Sequence, residues 1–244
     1  MSVWQAPPAL EELEVQIFFD GADLREISHF ADDPRINGFT TNPALMWTAG
    51  VAGYKDFAVE VVRLAGDRPV SFEVVSNDLV EIERQAHLIA GWGDHVYVKV
   101  PVTTGMGEPT AELQRRLAKD GVRVNATAAM TVDHVTSAVD ALAGGPPCIV
   151  SVFAGRVSDT GRDPLPLMRA AKEEMASASN CRLLWASVRQ VYDLFLADRV
   201  GCDIVTLTSD LLMKLSFIGC DLDQLAQQTV GRFEDAAANA GYDV

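Results

Sequence analysis

His95-Val96-Tyr97-Val98-Lys99-Val100-Pro101-Val102 alternates valine with Tyr97, Lys99 and Pro101. A period of two is the pattern of a β-strand. One face of this strand is aliphatic, and the other carries a lysine in mid-strand, where an ammonium is hard to solvate. The chain has five lysines, and only Lys99 is held within such a strand. Desolvation favours a neutral amine, which can attack a carbonyl and form a Schiff base. The plainer alternative is a lysine that snorkels to the strand end or pairs with a buried carboxylate.

Outward from this strand, apolar strands alternate with amphipathic helices in both directions. Upstream, strands are expected over 15–20, 36–39 and 70–74, with helices over 23–31 (Asp23 as N-cap), 54–64 and 77–90 (Asn77 as N-cap). Downstream, strands are expected over 122–127, 148–153, 182–187 and 203–207. The helices between and after them cover 109–119 (opened by Pro109), 133–142, 166–178, 191–199 and a segment from Asp210. Residues 154–165 read as a loop rich in Gly, Asp and Pro. Residues 1–14 form a short lead-in, and a separate amphipathic helix over about 222–240 closes the chain. Roughly eight strand–helix cycles in about 250 residues predict a closed (β/α)8 TIM barrel with an additional C-terminal helix, in a single domain spanning 1–244. The competing doubly wound sheet calls for a glycine-rich phosphate loop after the first strand, and Asp20-Gly21-Ala22-Asp23 is not one.

Composition narrows the function. The chain is 48% hydrophobic and 22% charged, the balance of a soluble globular protein. A net charge of -14 argues against nucleic acid or an anionic membrane as partner, while leaving room for a local arginine cluster that holds a phosphate. Cys148, Cys181, Cys202 and Cys220 show no metal-ligand spacing and sit beside apolar residues, so buried free thiols are expected. The four histidines form no ligand pair. Nothing at the N-terminus reads as a signal peptide, and no apolar run reaches membrane-span length. A cytoplasmic, metal-free protein is the expectation.

In a barrel the active site lies at the C-terminal ends of the strands. Those ends supply Asp20, Thr40, Asn42, Glu73, Lys99, Asn125, Thr127, Ser151 with Arg156, and Ser187 with Arg189. Each has a structural alternative: Asp20 as a helix cap, Thr127 satisfying backbone, Arg156 paired with Asp159. Their convergence on one lysine favours chemistry. A ketose iminium at Lys99 needs a carboxylate acid/base, which Asp20 can supply, and a route for protons through water, for which Glu73 and Thr127 stand on neighbouring strands. Ser187 and Arg189, at a strand end opening a helix, suit a phosphate, with Arg156 as a second candidate.

These residues fall in motifs that resemble the transaldolase family of class I Schiff-base aldolases, including its short members and the related fructose-6-phosphate aldolases. The motifs are Phe-Phe-Asp-Gly-Ala-Asp at 18–23, Gly-Phe-Thr-Thr-Asn-Pro at 38–43, Val-Ser-Phe-Glu-Val at 70–74, Val-Lys-Val-Pro-Val-Thr at 98–103, Val-Asn-Ala-Thr at 124–127, Val-Ser-Val-Phe-Ala-Gly-Arg at 150–156 and Ala-Ser-Val-Arg at 186–189. The resemblance implies Lys99 as the Schiff-base lysine, Asp20 as its acid/base, and Glu73 with Thr127 as the pair that positions the catalytic water. It further implies Thr40 and Asn42 as ligands of donor hydroxyls, Asn125 and Ser151 at the dihydroxyacetone portion, and Ser187, Arg189 and Arg156 at the acceptor phosphate. By the same resemblance the reaction moves a dihydroxyacetone unit from a ketose phosphate to an aldose phosphate without cofactor or metal, in a homo-oligomer. Glu73 favours transfer, because the aldolase branch, which releases free dihydroxyacetone, usually carries glutamine there. A barrel that only binds sugar phosphates is a third reading, disfavoured by the intact Asp20, Glu73 and Lys99. The segment 104–109, Val152 in place of a common proline, and the small Ala126, Ala128 and Ala129 depart from the family's pattern. They leave pentose-phosphate metabolism and a specialised pathway to a longer-chain sugar phosphate equally open.

Overall fold

The computed structural model describes residues 7–242; of the expected lead-in, residues 1–6 lie outside it. Eight strands alternate with helices: β1 (Gln16–Asp20), α1 (Leu24–Ala31), β2 (Ile36–Thr40), α2 (Pro43–Thr48), α3 (Tyr54–Ala65), β3 (Val70–Glu73), α4 (Leu79–Ala90), β4 (Val96–Pro101), α5 (Ala111–Lys119), β5 (Val124–Ala129), α6 (Val132–Leu142), β6 (Cys148–Val152), α7 (Ala154–Asp159), α8 (Leu165–Glu174), β7 (Cys181–Trp185), α9 (Tyr192–Val200), β8 (Ile204–Leu207), α10 (Ser209–Lys214) and α11 (Leu222–Ala240). The strands are all parallel and close in the order β1 to β8, with β8 pairing β1. This is the (β/α)8 barrel expected from the sequence.

The contacts divide the chain into two units. One runs from Glu14 to Leu212 and holds the barrel. The other joins the segment ending at Leu13 to the one beginning at Met213, and contains α11. The carboxylate of Asp221 caps α11 by accepting from Gln224 N at 2.9 Å, and no residue of α11 is buried. Among the described residues, no helix is long and apolar enough to cross a membrane.

Inside the barrel the two-residue period sorts the strands into layers. Val98, Val100 and Val124 face the helices and are fully buried. Phe18, Ile149, Leu184 and Ile204 meet in the interior, with Tyr97 packed against them. Gly38 makes this layer possible, since a Cβ there would stand 2.6 Å from the Phe18 ring. Burying four such side chains contributes about 1.5–3 kcal/mol each, so this layer is a principal source of barrel stability.

Several boundaries differ from the sequence reading, each for a local reason. α4 is capped by Asp78, whose side chain accepts from Glu81 N at 2.8 Å; Asn77 instead accepts from Gly105 N at 2.7 Å, tying two loops together. Pro109 does not open α5, because it bridges Thr103 in a closed loop whose Thr104 N donates to Glu108 O at 2.8 Å. The sequence periodicity predicts neither of the short helices α2 and α7. The Asn-Pro start of α2 is an N-cap signal, whereas α7 begins among residues with no capping side chain. Cys148, Cys181 and Cys202 are buried free thiols as expected, but Cys220 is exposed despite its apolar neighbours.

Candidate active site

Two residues beyond the apolar layer, the same strands turn polar. The register sets Glu73 beside Lys99 and Lys99 beside Asn125. The inward parity that packs Tyr97 against the interior layer therefore carries Lys99 to the C-terminal end of the barrel. There a cavity of 390 Å³ is lined by Asp20, Thr40, Asn42, Glu73, Lys99, Asn125, Thr127, Ser151, Arg156 and Ser187. Of the eleven residues expected at the site, only Arg189 does not line it.

Lys99 is 5% exposed. Its Nζ donates to Thr41 O at 2.9 Å and lies 3.2 Å from Glu73 Oε2. The plainer alternative of a lysine paired with a carboxylate is thus present, with the partly buried Glu73 as partner. Asp20 accepts from Thr40 Oγ1 at 2.7 Å, and α1 is capped by Asp23 instead. Burial raises the Asp20 carboxyl above the ordinary carboxylate range; the charge of Lys99 and the Thr40 hydrogen bond oppose that rise without cancelling it. On the opposite wall Ser151 Oγ donates to Asn125 Oδ1 at 2.7 Å, and Asn125 Nδ2 donates to Ser71 Oγ at 3.1 Å. This chain fixes the asparagine's orientation and leaves Ser151 Oγ free to accept. Asn42 caps α2, with Oδ1 accepting from Leu45 N at 3.0 Å. Only its Nδ2 remains to donate into the cavity.

Thr127 Oγ1 is buried and has no hydrogen-bond partner in the protein, so it does not serve the backbone. A bulge follows it: the β5–β6 register shifts between Ala126 and Ala129, and Ala128 takes φ 63°. The extra residue brings Ala128 to the cavity wall beside Thr127. Ser187 shares φ 63°. Such backbone costs on the order of 1–3 kcal/mol for a non-glycine residue and persists where packing holds it. At Ser187 the packing comes from α7: a Cβ on Gly155 would stand 1.6 Å from the Ser187 carbonyl oxygen. Glycine at 155 therefore lets β7's end and the Arg156 turn meet at one wall.

Of the two arginines expected near a phosphate, Arg156 lines the cavity and Arg189 does not. Arg189 donates to Asp159 from Nε at 2.9 Å and from Nη2 at 2.5 Å, and its backbone N donates to Asp193 at 2.9 Å. This holds its guanidinium away from the cavity. Asp159, the structural alternative partner for Arg156, is thus taken by Arg189. Phe153 and Thr206 line the cavity, and Ser71 holds Asn125; the sequence reading assigns none of the three to the site, and it notes Ala128 only as a departure from the family's pattern. Ser71 carried a usable signal, since it shares the inward parity of its strand with Glu73. Tyr54, which bonds the Glu73 backbone, carried none.

The family model described as Transaldolase/Fructose-6-phosphate aldolase matches residues 17–243. A probable transaldolase of Dehalococcoides mccartyi is 31% identical over 202 residues, covering 82% of this chain and 90% of that protein. One of Roseiflexus castenholzii is 35% identical over 193 residues, covering 79% and 85%. The barrel is similar to the solved structure of a mutant tryptophan synthase α-subunit from Pyrococcus furiosus, with TM-score 0.57 and 12% identity over 81% of this chain and 88% of that one. At that identity the likeness concerns the fold alone.

Proposed function

The chain belongs to the transaldolase/fructose-6-phosphate aldolase family of enzymes, and we propose that it acts as a transaldolase, passing a dihydroxyacetone unit from a ketose phosphate to an aldose phosphate through a Schiff base on Lys99. The observation that carries this reading is the buried Nζ 3.2 Å from Glu73 Oε2, facing one cavity with Asp20.

Transfer of a proton from Nζ to Glu73 frees the amine's lone pair. The amine adds to the ketose carbonyl, and the carbinolamine loses water to give an iminium. A water held by Glu73 and the unpartnered Thr127 hydroxyl relays the protons. Asp20 then takes the proton of the hydroxyl on the carbon beyond the breaking bond. As that carbon–carbon bond breaks, its electron pair moves toward the iminium nitrogen, and the aldose product leaves. The bound enamine attacks the carbonyl carbon of the acceptor aldehyde, Asp20 returns its proton to the new alkoxide, and water releases the product ketose from Lys99. Burial suits Asp20 to this work, because a carboxylate with a raised proton affinity is the better base. Asn42, Thr40, Asn125 and Ser151 hold hydroxyls, and Arg156 with Ser187 holds the phosphate.

The same donor chemistry serves pentose-phosphate metabolism and a specialised route to a longer-chain sugar phosphate. Cytoplasmic location and self-association accompany the reading, and sedimentation tests the latter. The decisive experiment incubates the protein with fructose 6-phosphate, reduces with borohydride and locates the adduct by mass spectrometry. A three-carbon adduct on Lys99 is expected; no adduct, or one on another lysine, defeats the proposal. Turnover that requires an added aldose phosphate marks transfer, and turnover without one marks release of free dihydroxyacetone.

A further inference from the structure

The ladder between β2 and β3 stops at Lys99's acceptor. Phe39 N donates to Pro69 O at 2.9 Å, and Thr41 N donates to Ser71 O at 3.2 Å. A regular parallel ladder would continue with Glu73 N donating to Thr41 O, and with the amide of residue 43 donating to Glu73 O. Neither bond is made. Residue 43 is proline, which has no N–H, and Thr41 O accepts from Lys99 Nζ at 2.9 Å. One atom replaces both missing partners of Glu73. Tyr54 Oη accepts from Glu73 N at 2.9 Å and donates to Glu73 O at 2.7 Å.

We propose that Tyr54 is a positioning residue for the reactive amine. Its phenol satisfies the end of β3, so that the Thr41 carbonyl stays available to Lys99 and the Glu73 carboxylate stays beside it. The inference rests on the Schiff-base reading of Lys99 given above. Tyr54 is the first residue of α3, and its ring is held edge-on by Phe72 at 6.3 Å and Trp92 at 5.3 Å between centroids. Burial, reinforced by the charge of Glu73, raises the phenol's pKa against the opposing pull of the Glu73 backbone bond. The hydroxyl therefore remains a donor at neutral pH. Without it, the Glu73 N–H is left without a partner, and the carbonyl that completes the regular ladder is that of Thr41. The ammonium then competes with a backbone amide for one acceptor.

Tyr54→Phe keeps the ring and removes only the oxygen. The test compares borohydride trapping with fructose 6-phosphate across the neutral and alkaline range in wild type, Tyr54→Phe and Trp92→Phe. Wild type is scored first, and failure to trap at Lys99 there overturns the underlying reading rather than the role of Tyr54. Given wild-type trapping, Tyr54→Phe is expected to slow it roughly tenfold and to move the midpoint of its pH profile downward, because the charged amine shares its acceptor. Trp92→Phe loosens the same aromatic cluster without touching the hydrogen bonds; its thermal midpoint falls while its pH profile matches wild type. An unmoved profile in Tyr54→Phe, or the same displacement in both variants, overturns the proposal. If Tyr54→Phe does not fold, 4-aminophenylalanine placed at 54 serves in its stead, since an aniline donates as the phenol does but accepts poorly. Trapping slowed at least threefold supports the proposal, and trapping at the wild-type rate overturns it.

Discussion

Two layers of the barrel interior, one above the other on the same strands, differ in nearly everything but their backbone. The lower holds Phe18, Ile149, Leu184 and Ile204, packed with Tyr97. The upper, two residues further along, holds Asp20, Ser151 and Thr206, with Lys99 two residues beyond Tyr97. The lower layer is close-packed, with Leu184 alone of the four reaching the cavity, and it fixes where each strand ends. The upper layer spends that rigidity on a buried lysine, an acid with raised proton affinity and a hydroxyl without a partner. An apolar and a polar layer thus stand one pleat apart, and substitutions in the two should fail in different ways.

The sharpest break is expected at Lys99. Lys99→Met should lower transfer activity by roughly a thousandfold or more and abolish the borohydride adduct while leaving the far-ultraviolet circular dichroism unchanged. Asp20→Asn comes next, with kcat reduced about 10²–10⁴-fold. The same variant should melt higher than wild type at neutral pH. The raised pKa of folded Asp20 means that the native state prefers the protonated acid. Wild-type stability from this group is therefore greatest below the unfolded carboxylate range and is lost as pH rises through the folded value. Melting curves at several pH values check this, because the advantage of Asn should shrink as pH falls.

Ile204→Ala probes the other layer, since Ile204 is fully buried and does not line the cavity. It should cost about 2–5 kcal/mol in urea unfolding and leave the kcat of the folded fraction within a few-fold of wild type. A thousandfold loss of kcat there would show that the layers are not separable. Arg156→Gln should raise KM for phosphorylated sugars about tenfold or more with little change in kcat, as loss of a charged hydrogen bond to the phosphate implies. Arg189→Gln should have the smallest effect, within about threefold in KM, since it breaks an exposed ion pair with Asp159 of the kind that contributes ~0–1 kcal/mol. A larger effect than at Arg156 would show that Arg189 leaves Asp159 when substrate binds.

Much of this was legible before the fold was known. Tyr97 and Lys99 on one face, with valines on the other, report a strand and its inward parity from eight consecutive residues. The polar strand ends then select the site, and ten of the eleven expected residues line it. Arg189 stands outside that lining because it pairs with Asp159, thirty residues away on a short helix with no side-chain cap to announce it. Ala128 and Ser187 carry no sign in their own identity that they take positive φ; a bulge against β6 and the close approach of Gly155 impose it.

The sequence by itself determined the periodicity, the order of the elements and which side chain of each strand points inward, since these depend on neighbours a few positions apart. Closure of the barrel decided the partners. It set Asp20 on β1 within the electrostatic reach of Lys99 on β4, and it let Tyr54 take the hydrogen bonds that β2 could not supply once Pro43 left Glu73 without a donor. A hydrogen bond of this kind has no local signature. Whether a carbonyl is free for a lysine depends on which distant group has already satisfied its neighbour, and only the folded chain assigns that.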